Sequence, residues 1–436
     1  MRPRHALLLA AVLAIGACRA GQKGQQEGEA ETETPRAVPS VPGATTEAPA
    51  GKLLWGPEAV SSASRGADGL GAALGVGQVG IVWIEDRSPG ADVFFARVAG
   101  QDVGQAISVT KGASSFPPMA VAWTGKEFAL AWGDDRFRHI EIFVARVSYS
   151  GKLVLRPRRF TSTQSDEDEM PGVFSADSSQ APALAYYGGQ LLMAWGGPGN
   201  AGRQQVYYTT LSKAGKPNFD PTPLTRGLSD AVGIRLVSYE TGALLSYCVR
   251  GSEGNELYRL HLSGSPPGPA QPMKVEVSQY VPCSVKHALA GDGAVVLWAM
   301  RAQDEGGAVE DGLEGQLVDA DGVFVGKSFE MPGVRLVKFP GKHRAPFDAL
   351  ELGGGKLAIA WIERVPDGSA SLRLGVFDAA GNRLGEPFEV PTQADPTDPH
   401  LLGSGQPGSF VVTWLDRPLG SKLRRVFVAG VSFEIP

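Results

Sequence analysis

Seven short apolar runs, each closing on a bulky aromatic, recur along the chain: VGIVW to Trp83, FALAW to Trp132, LLMAW to Trp195, ALLSY to Tyr247, AVVLW to Trp298, LAIAW to Trp361 and FVVTW to Trp414. The aromatics lie 49, 63, 52, 51, 63 and 53 residues apart. A repeat of that length marks one supersecondary unit copied along the chain. Each run is apolar on both faces instead of alternating, so the strand it predicts must be covered from two sides. After a polar loop comes a second apolar run, DVFFARV, EIFVARV, QVYYTTL, ELYRLHL, LEGQLV, LRLGVF or RRVFVAGV, which reads as an antiparallel neighbour. Most of these meet a tight turn closing on glycine, as in VSYSGK (Gly151), LSKAGK (Gly215), VDADGV (Gly322) and FDAAGN (Gly381). Glycine supplies the positive φ of such hairpins, and the preceding Asp or Ser can bond its own backbone. A more variable strand such as AISVT, RRFTS, KSFEM or PFEVP ends the unit, and a segment such as FPPMAVAW, APALAYY or SVKHALAG opens it. The unit therefore has four strands, and no segment carries a sustained helical period.

Four-stranded units repeated seven times resemble the blades of a β-propeller. The expected fold is all-β: a seven-bladed propeller of four-stranded antiparallel blades over residues 52–436, whose 385 residues give 55 per blade. The seventh unit stops after RRVFVAGVSFEIP, one outer strand short. LLWGPEAVS, residues 53–61, has the form of the outer strands GEPFEVPT and GKSFEMPG. It is predicted to complete the last blade and so to hide an open sheet edge that would invite aggregation.

Upstream of the ring, Arg2 and Arg4 precede an apolar stretch from Ala6 to Ala17, and Cys18 follows Ile15-Gly16-Ala17. Residues 1–17 read as a secretory signal, too short to span a bilayer permanently. IGAC resembles the lipobox of bacterial lipoproteins, which implies lipidation of Cys18 as the mature N-terminus. Arg19 in place of Asp after the cysteine implies, in that class, an outer-membrane destination. Acyl chains contribute about 0.8 kcal/mol per buried methylene, enough in combination for a stable anchor. Residues 18–51 carry no aromatic and almost no large aliphatic residue, so they cannot bury enough surface to fold and act as a tether. The 33 residues after Cys18 span roughly 30 Å as a flexible coil. The expected location is exported and outer membrane-anchored, periplasmic or at the cell surface.

A formal charge of −5 and the lack of a basic stripe with interleaved aromatics argue against nucleic acid. With Cys18 lipidated, Cys248 and Cys283 remain as a possible disulfide near one rim, or as two buried thiols acting as small hydrophobes. The recurrent polar signature follows the aromatic: Glu85, Asp86 and Arg87 in WIEDR, Asp134, Asp135 and Arg136 in WGDDR, Glu363 and Arg364 in WIER, Asp416 and Arg417 in WLDR, with Arg250 and Arg301 in the weaker copies. Strand alternation puts these loops around one mouth of the channel. They tie neighbouring loops together, or they form a charged rim that contacts a protein or glycan partner. The acidic loop Asp166 to Glu169 matches no calcium-loop spacing and reads as a solvated loop, and the DPTDPH segment, with Asp395, Asp398 and His400, reads by default as proline-stiffened turn chemistry, with metal binding as its alternative. No metal or cofactor is expected.

No GxSxG, HExxH or CxxC occurs, and none of the histidines, His5, His139, His261, His287, His343 and His400, pairs locally with a nucleophile and an orienting acid. The blade form, W-x-(Asp/Glu)-(Arg) followed by an (I/V)(F/Y)-x-A-R strand, is similar to that of exported bacterial propellers with WD40-like or sialidase-like folds. The sialidase Asp-box S-x-D-x-G-x-x-W is absent, and the three arginines and the Tyr/Glu nucleophile of that family find no counterparts residue by residue. The expected function is that of a lipid-anchored cell-envelope binding or scaffold protein, acting through the charged loop face. The alternative is a divergent glycoside hydrolase or lyase acting on a polysaccharide or glycoconjugate. A deep pocket of convergent ionisable groups would favour the enzyme, and a flat or internally paired charged face the scaffold.

Overall fold

The computed structural model describes residues 51–434 except 88–89, 138, 163–179, 200–202, 226–230, 251–254, 265–266, 270–272, 276–282, 304–308, 338–344 and 365–368. The signal, Cys18 and the tether lie outside the described residues, as do Asp166 to Glu169 and His343.

Seven antiparallel sheets follow one another along the chain and form a seven-bladed β-propeller. Their inner strands are Ala67–Leu74, Ser115–Trp123, Gln180–Tyr187, Ala231–Tyr239, Val285–Ala290, Phe347–Gly353 and Thr397–Gly403. Each pairs with a second strand bearing the aromatic, which pairs in turn with a third. The outermost strand is short in several blades, and in blades one and four it is divided into two pieces.

The second strands are covered on both sides, as their unbroken apolar pattern requires. Trp83, Trp132, Trp298 and Trp414 are fully buried, and Trp195, Tyr247 and Trp361 nearly so. The core divides into seven clusters, each shared by two adjacent blades. In the one between blades six and seven, Trp414 and Phe427 of the last blade pack with Ile362, Leu372 and Leu374 of its neighbour.

Closure runs through the N-terminus. Gly51–Ala59 pairs antiparallel with Arg425–Phe433, with Leu53 opposite Val431, Trp55 opposite Gly430 and Glu58 opposite Val428. The Val60 amide then donates to the Val426 carbonyl at 2.8 Å, and the Val426 amide donates to Ser61 Oγ at 2.8 Å. Leu53 packs on the cluster between blades six and seven, and Trp55 on that between blades seven and one. One strand thus seals the ring on two sides.

Five of the seven inner strands share an irregularity. Their pairing slips between Asp68 and Gly71, Phe116 and Ala120, Gln180 and Ala183, Val232 and Arg235, and Thr397 and His400. Such β-bulges bend a strand and re-aim its side chains. Blades one and four turn the chain with Gly69 and Gly233, whereas Ala181 and Asp398 hold left-handed φ values of 53° and 54° without the freedom of glycine. Each bulge lies at the end of the inner strand nearest the loop that follows the aromatic, so it bends the backbone at the mouth carrying the acid/Arg signature.

Candidate functional site

The acid two residues after the aromatic is built into the blades. Glu85 is buried and accepts from Trp83 Nε1 at 3.1 Å and from the Ser62 amide at 3.1 Å. Glu363 accepts from Trp361 Nε1 at 3.2 Å and pairs with Arg373 at 3.0 Å. Asp416, fully buried, accepts from Trp414 Nε1 at 3.3 Å and from the amides of Gln393 (2.7 Å), Ala394 (3.2 Å), Asp395 (2.9 Å) and Arg417 (2.7 Å). In blade five the same service comes from across the sheet, where Glu314 faces Trp298 and accepts from its Nε1 at 2.9 Å. A buried indole N–H needs such an acceptor, and the carboxylate at this spacing also gathers the loop amides above it.

Three arginines of the signature, Arg136, Arg87 and Arg417, are likewise engaged. Arg136 closes on Asp134 through Nε (2.8 Å) and Nη2 (2.6 Å) and lies over the Phe143 ring at 5.0 Å. Arg87 sits 3.4 Å from Asp92 and over Phe94 at 4.8 Å. Arg417 and Arg424 share Asp395 at 3.0 and 2.9 Å. Asp86 is exposed, and partial desolvation together with nearby Asp68 raises its carboxyl above the usual range. Asp135 donates its amide to the Ser114 carbonyl at 3.0 Å, and Arg364 is exposed. Arg250 and Arg301 lie on second strands, opposite Asn255 and Asp311 in the register.

Cys248 and Cys283 are not joined to each other, so the structure has no disulfide at the possible pair. Cys248 is buried in the cluster between blades four and five with Val285 and Trp298, and Cys283 packs on its edge as a small hydrophobe. Cys283 itself lies just before the inner strand of blade five, with a left-handed φ of 62°.

A different set of charges converges in the channel. A cavity of about 270 Å³ is walled by all seven inner strands. The register places one residue of each directly opposite the position before the aromatic: Gly71 opposite Val82, Ala120 opposite Ala131, Ala183 opposite Ala194, Arg235 opposite Ser246, Lys286 opposite Leu297, Asp348 opposite Ala360 and His400 opposite Thr413. These seven residues form one layer. Blades one to three supply small apolar side chains to it, and blades four to seven supply ionisable ones. Gly71 has no room for a larger group, since a Cβ there would stand 2.9 Å from the Met119 carbonyl oxygen.

Within the charged arc, Lys286 Nζ pairs with Asp348 Oδ1 at 3.3 Å, and Asp348 Oδ2 accepts from the Leu401 amide at 2.8 Å. His400 stands between two carboxylates, with Nδ1 4.0 Å from Asp348 and Nε2 3.8 Å from Asp398. Burial, reinforced by Lys286 and Arg235, holds its imidazole neutral, well below the usual histidine range. Asp395, Asp398 and His400 are therefore more than turn chemistry. Asp395 braces two rim arginines, and the bulge swings Asp398 and His400 onto the channel wall. Among the described residues no group of three or more His, Cys, Asp or Glu side chains could hold a metal ion.

Arg235 and His287 complete the arc. The one hydrogen bond of Arg235 runs from Nη1 to the Ile234 carbonyl at 2.9 Å, and no carboxylate among the described residues lies within ion-pair distance. Burial lowers its affinity for its proton, and the more distant Asp398 and Asp348 partly oppose this. His287 Nε2 is 2.7 Å from Ser246 Oγ of the preceding blade. Its pKa is lowered to about 3, by burial first and then by Arg235 and Lys286, so the ring is neutral at physiological pH. The Ser–His pairing joins residues 41 apart, which is why no local spacing revealed it. A signal was nevertheless present: Arg235 and Lys286 stand twelve residues before their aromatics, where Gly71, Ala120 and Ala183 stand in the first three blades.

No family model matches the chain, and no curated protein matches it by sequence. Solved structures do. The crystal structure of polysaccharide lyase Uly1 superposes with a TM-score of 0.53 at 10% identity, covering 87% of this chain and 91% of that one. The parainfluenza virus 5 hemagglutinin-neuraminidase ectodomain follows at 0.48 and 9% identity, over 88% and 84% of the two chains. The NanB sialidase of Streptococcus pneumoniae gives 0.45 and 10% identity, over 88% and 70%. At 10% identity the likeness to the lyase extends to the β-propeller fold alone, and this chain builds that fold with seven blades.

Proposed function

We propose that the protein acts on an acidic polysaccharide or glycoconjugate at the mouth and wall of the central channel, from an exported position tethered through lipid on Cys18. The observation that carries this reading is Arg235, a guanidinium on the wall of a seven-blade cavity with no carboxylate partner among the described residues. A desolvated cation without a counterion is unfavourable, and an entering carboxylate would relieve it through a charge-assisted, bidentate contact. Lys286, by contrast, is already neutralised by Asp348. At about 270 Å³ the cavity falls just below the roughly 300–1,000 Å³ usual for ligand sites, which suits one sugar unit of a longer chain. Polysaccharide lyase Uly1 supports the fold as one able to hold a glycan, while the residues on this wall carry the argument.

Two features favour this over the rim as the binding surface. Glu85, Asp134, Glu363 and Asp416 and the arginines Arg87, Arg136 and Arg417 serve indoles, loop amides and nearby charges, whereas the channel keeps a cation with no carboxylate partner among the described residues and two neutral imidazoles. A sialidase-like arrangement would need three arginines on one carboxylate, and Arg235 is the one arginine among the residues lining the cavity. The test is calorimetric titration of the purified protein with uronate-containing oligosaccharides and their neutral, carboxyl-reduced counterparts. Binding of the acidic forms, lost in Arg235→Gln and absent for the reduced forms, is the expected result. Equal binding of acidic and reduced forms, or of neither, overturns it.

A further inference from the structure

We propose that His287, held by Ser246, is the proton-transferring group of the channel, and that the chemistry at Arg235 is β-elimination of a uronate unit. This deepens the acidic-glycan reading and rests on it. The argument begins with the strand register. Ser246 lies directly opposite Arg235 in blade four, so the residue that would bind the carboxylate and the residue that holds the imidazole are cross-strand neighbours. Ser246 is wholly buried, which removes it as a nucleophile and leaves it as a positioning residue. Its hydroxyl takes up Nε2 of His287 at 2.7 Å, and no other hydrogen bond is made by that ring among the described residues. Nδ1 is therefore the nitrogen left for the cavity that His287 lines.

The groups facing His287 keep it unprotonated in the empty channel. Arg235 lies on the preceding inner strand, Lys286 beside it on its own strand, and Asp348, Asp398 and His400 line the same cavity. Burial first, and then Arg235 and Lys286, disfavour a positive charge on the ring, so the imidazole is neutral and its lone pair is free to accept a proton. A carboxylate on Arg235 acidifies the hydrogen on the carbon that bears it, because the charge that develops as that proton leaves is delocalised onto the carboxylate beside the guanidinium. In the step, with Nε2–H of His287 donating to Ser246 Oγ, that proton moves to the Nδ1 lone pair and the C–H electron pair becomes a new carbon–carbon double bond. The bond from the β-carbon to the glycosidic oxygen breaks, the departing oxygen takes a proton from water, and the hydroxide left recovers the proton from Nδ1. Once an anion neutralises Arg235, the imidazole becomes more basic, so ligand binding itself prepares the transfer. Hydrolysis fits less well. It requires a pair of carboxyl groups free to serve as acid and base or nucleophile, and Asp348 is held by Lys286 and the Leu401 amide.

The experiment combines three measurements on the full chain and its variants with an oligogalacturonate and a glucuronan oligosaccharide as probes. Turnover is read as the ultraviolet absorbance of the unsaturated product, affinity by calorimetry, and the His287 tautomer by nitrogen-15 NMR of histidine-labelled protein. His287→Gln is expected to lower kcat by about 100-fold or more while leaving affinity within about twofold. Ser246→Ala is expected to lower kcat about tenfold, the kinetic equivalent of one hydrogen bond, and to turn a single His287 tautomer into a mixture. Ser246→Thr should restore both. Binding that depends on Arg235 without unsaturated product in the wild type overturns the elimination and leaves the acidic-glycan reading standing. Turnover within about threefold of wild type in His287→Gln overturns the role of His287, and an unchanged tautomer in Ser246→Ala overturns that of Ser246. Failure of every acidic probe to bind overturns the underlying reading and this inference with it.

Discussion

Asp416 accepts from one indole and four loop amides while buried at the end of a strand, so removing it leaves several desolvated donors at once. Asp416→Ala should cost about 3 kcal/mol or more in chemical denaturation, and Asp416→Asn less, since one acceptor oxygen survives. Arg364→Ala, on an exposed side chain, should stay within about 0.5 kcal/mol. Arg235 behaves in the opposite sense. Arg235→Met removes a desolvated, unpaired charge, so the denaturation midpoint should rise while binding of acidic oligosaccharides is lost, the stability–function conflict expected of a binding residue. His287 links the site to pH. Its folded pKa of about 3 lies below the unfolded value of 6.5, so below pH 6.5 the unfolded chain takes up a proton that the folded chain refuses. Its stabilising contribution is complete above pH 6.5 and is lost as the pH falls from there toward 3. At pH 5 the loss from this group is about 2 kcal/mol, and His400 acts in the same direction. Melting temperature against pH should show this decline, and His287→Gln should flatten part of it.

At the scale of elements, the strand that closes the ring is the most exposed to a direct test. Removing residues through Ser61 leaves Arg425–Phe433 as an unpaired edge and uncovers Trp55's site between blades seven and one. The truncated chain should melt at a lower temperature and elute as soluble aggregates in size-exclusion chromatography, and a monomer of unchanged melting temperature would show that closure contributes nothing. This strand was legible in the sequence because LLWGPEAVS repeats the outer-strand form, and it was displaced only in its bounds, which run from Gly51 to Ala59. The blade count and the burial of the aromatics were legible for the same reason: each depends on a local pattern that recurs. The bulges of the inner strands were not. Gly69 and Gly233 give some hint of them, but Ala181 and Asp398 reach left-handed backbone with residues that do not announce it. Those bulges re-aim Asp398 and His400, which is why the DPTDPH segment read as turn chemistry and proved to reach the channel.

Across the whole molecule, the two candidate surfaces differ in how they are assembled. The rim charges find partners on the same blade or the next loop, so their pattern repeats with the blades and could be listed from the sequence as a set. The channel charges repeat nowhere, because a single layer draws one residue from each blade and only blades four to seven make theirs ionisable. Residues as far apart as Arg235 and His400 face one cavity because seven inner strands run side by side around an axis, and Ser246 reaches His287 because adjacent blades pack face to face. By itself the sequence determined the all-β class, seven blades of four strands, the closing strand and the structural use of the aromatics. Each of these follows from apolar spacing within one unit, where hydrophobic burial acts locally. The tertiary structure alone decided which charges are left without partners. Partnership depends on distances between units, and the chain records only the distance of each residue from its own aromatic.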